Sequence, residues 1–109
     1  MEVSIKQYKR CDLVSISGRI DSATSSKLAD ALDELVNNGR YRIVLDLKDV
    51  EFMSSAGLRV LISTQKACKP RGEVVLAQVP ERIYEALELA GFVPLFNFYD
   101  DILDAVASF

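Results

Sequence analysis

Two adjacent hydroxyls, Ser54 and Ser55, stand in the segment "VEFMSSAGLRVLIS", where a strand-like apolar run gives way to an amphipathic helical pattern. Serines at such a junction admit three chemistries: a nucleophile, a helix start that binds an anion, or an acceptor for a covalent phosphate. A nucleophilic serine needs a base within hydrogen-bond reach and donors around the attacked carbonyl. The chain contains no histidine, which removes His-based triads, His zinc sites and imidazole acid–base chemistry together. The G-x-S-x-G elbow is absent, the local text being F-M-S-S-A-G. Lys66 lies about three helical turns beyond Ser55, too far along a helix to serve it as a base. No catalytic residue is assigned.

A helix that follows a buried strand presents unpaired N–H groups and the positive end of its dipole, a natural anion site. Neither G-x-G-x-x-G nor G-x-x-x-x-G-K-[ST] is present, and the lone Gly57 makes a poor phosphate cradle. A phosphate attached covalently uses the same physics. In the first helical turn its charge of about −1.5 to −2 gains roughly 0.3–1 kcal/mol from the dipole, so the fold tolerates it. A partner that had to cover it unpaired would lose several kcal/mol. On spacing alone a simpler account also holds, in which Ser54 caps the helix and Ser55 merely follows.

Other chemistry-bearing residues are sparse. Asp46 reads as part of a central strand, and Asp49 and Glu51 as solvated charges in the turn after it; paired carboxylates alone do not specify a Mg²⁺ site, and no metal or cofactor is assigned. Cys11 and Cys68 are widely separated and read as two reduced thiols in or near the core.

The elements that position the serines follow from hydrophobic periodicity. The chain has 109 residues, half of them hydrophobic, with 13 basic against 16 acidic residues, which suits one globular domain over 1–109. No Lys/Arg block stands out, so direct nucleic-acid binding is not expected. No apolar run approaches the roughly 20 residues of a membrane span, and "MEVSIKQYK" lacks the apolar stretch of a signal peptide, so a cytoplasmic location without membrane insertion is expected. Alternation predicts a half-exposed strand over 2–8, with Val3 and Ile5 on one face, and a second strand through "DLVSISG" ended by Gly18. "DSATSSKLADALDELVNNG" reads as a helix with Leu28, Leu32, Leu35 and Val36 inward, Asp21 or Ser22 as N-cap and Gly39 as its stop. A buried strand over Tyr41–Leu47 follows, then a helix over "SAGLRVLISTQKACK" with Leu58, Leu61, Ile62 and Cys68 inward and Arg59, Ser63 and Lys66 wet. Next come a strand "EVVLAQV", a helix begun by Pro80 with Ile83, Leu87 and Ala90 inward and closed by Gly91, a short strand within "PLFNFY" and a C-terminal helix. The order β-β-α-β-α-β-α-(β)-α predicts an α/β domain with a mixed, mostly parallel sheet of four to five strands and helices packed on it. The exposed first strand could pair between chains, so a monomer or weak homodimer is expected.

This order, together with "SGRIDSATSSKL" and "VLDLKDVEFMSSAGLRVLIS", resembles the STAS domain, and specifically the anti-sigma-factor antagonists, over essentially the whole chain. The resemblance implies a non-enzymatic binding protein that works by partner switching. In such a scheme the unmodified antagonist binds an anti-sigma factor that is also a serine kinase, which frees the sigma factor. Phosphorylation by that kinase ends the complex, and a PP2C-type phosphatase restores the active form. Aligned on Gly57-Leu58, the acceptor falls at Ser55, with Ser54 as the alternate. Ser54 stands where the best-known members carry aspartate, and Ala56 where they carry serine or threonine. The partner-binding residues implied are Asp21, Ser22, Ser54, Ser55, Ala56, Gly57 and Arg59. For Asp21, helix capping and partner contact both stay open. Alternative readings are a stand-alone STAS subunit of a lipid- or anion-transport assembly, a regulatory STAS protein with a non-sigma partner, or, more weakly, a nucleotide-binding sensor.

Overall fold

The computed structural model describes all residues, 1–109. Five strands, β1 (Glu2–Gln7), β2 (Asp12–Ile20), β3 (Arg42–Met53), β4 (Glu73–Ala77) and β5 (Asn97–Tyr99), form one sheet in sequence order. β1 and β2 are an antiparallel hairpin, and every later pair is parallel. Helices α1 (Ser25–Asn37), α2 (Ser55–Cys68) and α3 (Glu81–Leu89) make the crossovers, and a short α4 (Ile102–Ala107) closes the chain. Each crossover steps the sheet one strand in the same direction, so all three helices land on one face.

The main core lies between that face and those helices. Val14, Ile16, Ile43, Leu45, Leu47, Val74 and Leu76 project from the strands to meet Leu28, Leu32, Leu58, Leu61, Ile83 and Leu87. The other face has a smaller cluster in which Cys11, Val44, Val75 and Ala77 pack under Ala105 of α4. β3 and β4 carry apolar residues on both faces because both are covered there, as expected of parallel strands. Both cysteines are buried and free.

Several boundaries depart from the sequence pattern, each for a local reason. β2 does not stop at Gly18 but runs on to Ile20, while β3 runs on to Met53. The pairing survives because register shifts at Ser15/Ser17 and Gly18/Arg19 each let β3 carry one extra residue. Gly18, beside the second bulge on the facing strand, has a φ of +89°, a conformation that glycine adopts without steric cost. Asp49 and Glu51 therefore sit on a bulged strand rather than in a connecting turn; the bulges break the alternation that would have marked them as strand residues. Val3 packs against the core, but Ile5 on the same edge strand stays exposed. Ala90, expected inward, is exposed as the C-cap of α3, because Gly91 at φ +77° turns the chain away there.

Helix ends follow their capping chemistry. At the end of α1 the N–H of Gly39 bonds Val36 O (3.0 Å) and that of Arg40 bonds Leu35 O (2.9 Å), the paired bonds of a Schellman stop. One buried side chain substitutes for a strand. Gln65 of α2 accepts from Val74 N at 2.7 Å and donates to Val74 O at 3.1 Å and Leu95 O at 2.8 Å. β5 begins pairing only at Val75, so this amide satisfies the backbone edge of Val74 that the short strand does not reach.

Candidate functional site

The C-terminal ends of β2 and β3 bring the two conspicuous sequence segments together. The N–H of Ser54 donates to Ile20 O at 2.8 Å, tying the residue before Asp21 to the residue before Ser55. Gly57 completes the junction. A Cβ there would lie 2.7 Å from Ile20 Cγ2 and 2.8 Å from Met53 Cγ, well inside van der Waals contact. Glycine is what lets the first turn of α2 rest on the two strand ends.

Ser54 is the N-cap of α2, with extended backbone (φ −79°, ψ 172°), and its Oγ accepts from Gly57 N at 3.3 Å. That satisfies one of the four N–H groups a helix start leaves open. Ser55 is the first helical residue and is exposed, Ala56 is half-buried and Gly57 buried, while Arg59 is exposed one turn on. Arg59 also lines a shallow groove between α1 and α2 with Ala29 and Asp33. The two serines are thus inequivalent: one hydroxyl is spent on the cap, the other faces solvent.

Asp21 is not the N-cap of α1, and neither is Ser22. The cap position is Thr24, and Ser22 is exposed in the turn ahead of it. Asp21 instead builds that turn. Its Oδ1 accepts from Ala23 N and Thr24 N, both at 3.0 Å, while its own N–H donates to Thr24 Oγ1 at 2.9 Å. The hydroxyl of Thr24 lies 3.1 Å from the same carboxylate oxygen and 2.9 Å from Arg19 O. The backbone N–H of Thr24, aided by its hydroxyl and by Ala23 N, holds the Asp21 carboxyl below the ordinary carboxylate range. An ionised aspartate accepts these two successive N–H groups more strongly than a neutral serine hydroxyl would, and alanine could not accept them at all, so an exposed loop keeps one shape beside the first turn of α2.

Arg19 and Phe52 extend the same surface, and the sequence pattern did not single them out. They are register partners on the bulged ends of β2 and β3, with the guanidinium 4.4 Å from the ring centroid and Phe52 36% exposed. Aromatic residues and arginine are both enriched at protein–protein interfaces, and here they stand together on the surface. The one available signal was Phe52 itself, an aromatic amid the charges of "KDVEFM".

Asp46 lies away from this surface. Its Oδ1 accepts from Lys48 N and from Gln78 Nε2, each at 3.1 Å. The carboxylate has a structural role, fixing the first bulge of β3 to the residue after β4. No helix of the structure is long and apolar enough to cross a membrane.

Comparison with known proteins covers the entire chain. The STAS domain family matches residues 2–105. BtrV of Bordetella bronchiseptica is 33% identical over 110 residues, spanning 100% of this chain and 95% of that protein. The anti-sigma-B factor antagonist of Bacillus subtilis is 32% identical over 92 residues, 84% of each chain. Among solved structures, the anti-sigma factor antagonist SpoIIAA in its unphosphorylated form superimposes with a TM-score of 0.86 over 98% of this chain and 95% of its own, at 12% identity. That last likeness is one of fold.

Proposed function

The chain belongs to the STAS-domain family, and from that premise we propose that it is an anti-sigma-factor antagonist whose binding is switched off by phosphorylation of Ser55. The observation that carries the reading is the inequivalence of the serines: Ser54 is occupied as a cap and half-buried, whereas Ser55 is exposed at the first position of α2. Similarity over 84% of each chain to an antagonist of an anti-sigma factor supports the partner class.

The unmodified protein binds an anti-sigma factor through Asp21, Ser22, Ser54, Ser55, Ala56, Gly57 and Arg59, with Arg19 and Phe52 at the rim, and releases the sigma factor that the partner had held. The partner is a serine kinase acting in the cytoplasm, and it transfers the γ-phosphoryl group of ATP to Ser55 Oγ, leaving ADP. A PP2C-type phosphatase hydrolyses the ester and returns the protein to its binding form. The protein itself performs no catalysis. At the head of α2 the phosphate is favoured by the dipole by roughly 0.3–1 kcal/mol, so the fold persists. Against a partner the same dianion costs several kcal/mol unless paired, and each 1.4 kcal/mol is about tenfold in affinity.

The test is incubation with the cognate anti-sigma kinase and ATP, mapping of the modified residue, and measurement of complex formation by Ser55→Asp and Ser55→Ala. The expectation is phosphate on Ser55, kinase binding by Ser55→Ala and loss of binding by Ser55→Asp. Unmodified serines after incubation, or wild-type affinity of Ser55→Asp, refute the switch.

A further inference from the structure

At the other end of the parallel strands, far along β3 from Ser55, five cations converge. Lys9 and Arg10 come from the β1–β2 turn, Arg40 and Arg42 flank Tyr41 at the entry to β3, and Arg71 comes from the turn before β4; together they line one cavity of about 240 Å³. Those are five of the 13 basic residues in a chain of net charge −3, and no carboxylate lines the cavity. They lie in three separate stretches of sequence, so no basic block reveals them there.

Two of the guanidiniums are held in place. Arg40 Nε donates to Asp12 Oδ2 at 2.7 Å, and its Nη2 donates to Tyr8 O at 2.9 Å and Cys11 O at 3.4 Å. The cation therefore binds the hairpin turn to the end of α1. Arg71 lies over the Tyr41 ring at 5.0 Å and donates to Tyr41 Oη at 3.0 Å. Gly72 abuts the carbonyl of Tyr41 so closely that a Cβ would collide with it, which sets the Arg71 turn against the entry to β3. The ion pairs of the chain are Arg40–Asp12 and Lys69–Glu73, so Lys9, Arg10, Arg42 and Arg71 have no carboxylate partner.

Like charges gathered round a concavity repel one another and are stabilised by an anion that touches several at once. We propose that this cavity binds a small ligand carrying two or more linked phosphate groups. A single carboxylate side chain satisfies one guanidinium fork, whereas an oligophosphate offers acceptors to several forks converging from different directions. The half-open concavity has room for such a group, and Tyr41 and Arg71 form one of its walls. The site shares no residue with the Ser55 surface and stands whether or not Ser55 is phosphorylated.

The experiment is calorimetric titration of the full chain with sodium tripolyphosphate at physiological salt, with amide chemical-shift mapping. The expected result is saturable one-to-one binding, with shifts confined to the β1–β2 turn, residues 39–42 and the turn around Arg71. The paired charge reversal Arg10→Glu/Arg71→Glu should weaken binding about tenfold or more, with the circular dichroism spectrum retained because both side chains are exposed. Arg40 is left intact because it holds the hairpin. Equal affinity for tripolyphosphate, ATP and GTP identifies the phosphate chain itself as the ligand; tighter binding of ATP or GTP identifies a nucleotide whose base adds contacts. No saturable binding, wild-type affinity in the charge-reversed variant, shifts centred on Ser55, or displacement of tripolyphosphate by an oligoglutamate peptide of equal charge each overturns the proposal.

Discussion

Removing one hydroxyl separates the two serines. In Ser54→Ala the Oγ that accepts from Gly57 N is gone, while the backbone bonds Ser54 N–Ile20 O (2.8 Å) and Leu58 N–Ser54 O (3.0 Å) remain. Loss of a serine N-cap costs about 0.5–2 kcal/mol. The bond here is 3.3 Å, beyond the usual 2.7–3.2 Å range for N–H···O, which places the cost at about 0.5–1 kcal/mol. For a domain near this size a loss of 1 kcal/mol lowers Tm by roughly 4–8 °C, so the variant should melt about 2–8 °C below wild type. The assay pairs that melt with kinase incubation. Ser54→Ala should lose stability and still take phosphate, whereas Ser55→Ala should keep its Tm within the few tenths of a kcal/mol of a surface change and take none. A Ser54→Ala protein of unchanged Tm that no longer accepts phosphate would refute the reasoning, because the acceptor would then be Ser54 and the cap inconsequential.

Three further outcomes test other parts of the structure. Arg40→Ala leaves Asp12, 2% exposed, buried without its cation and should cost about 3 kcal/mol in urea unfolding; a loss below about 1 kcal/mol would show that water replaces the guanidinium. Gly57→Ala gains up to about 1 kcal/mol of helix propensity but must move Ile20 or Met53, at roughly 1–3 kcal/mol. It should therefore be neutral to mildly destabilised, yet bind the anti-sigma factor at least several-fold more weakly because the first turn of α2 shifts; wild-type affinity contradicts that. Burial pushes the Cys68 thiol up to about 11. The unfolded chain ionises first, near ~8.5, so this group's contribution to stability is intact below that pH and falls as pH rises toward about 11. Urea midpoints from neutral to alkaline pH should fall less steeply in Cys68→Ala than in wild type, and identical slopes would dismiss the thiol as a cause.

What the sequence made legible was periodic. Leu28 and Leu32, Leu58 and Leu61, and Ile83 and Leu87 are inward-facing helical positions that the core contains, and the order of elements alone implied the parallel sheet. The cap at Ser54 was readable as the simplest account of the pair because serine directly before an apolar helical pattern is a favoured N-cap. The bulged ends of β2 and β3 were not readable, since each bulge shifts the side-chain alternation by one residue and makes "KDVE" resemble a turn. Asp21 was misplaced for a related reason. Its carboxylate does satisfy N–H groups ahead of α1, but in a preceding turn, so the helix begins four residues later. The basic cavity was invisible because its cations meet only when the hairpin turn, the entry to β3 and the turn before β4 assemble at one end of the sheet.

The proposed site combines a rigid seat with a chemically free surface. Backbone pairing of Ser54 with Ile20, the Gly57 contact and the bonds from Asp21 to the Thr24 turn fix the strand ends and the first turn of α2 without using the Ser55 hydroxyl. A phosphate at position 55 then breaks none of the bonds that hold the seat and gains from the helix dipole. Its effect falls on whatever must cover Ser55. If the acceptor instead lay one residue earlier, the dianion would sit on the half-buried oxygen that accepts from Gly57 N, where it would have to be partly desolvated against Gly57 and the strand ends. A reversible switch needs both phosphorylation states to stay folded, and the exposed first position of α2 meets that requirement at less structural cost than the half-buried cap beside it.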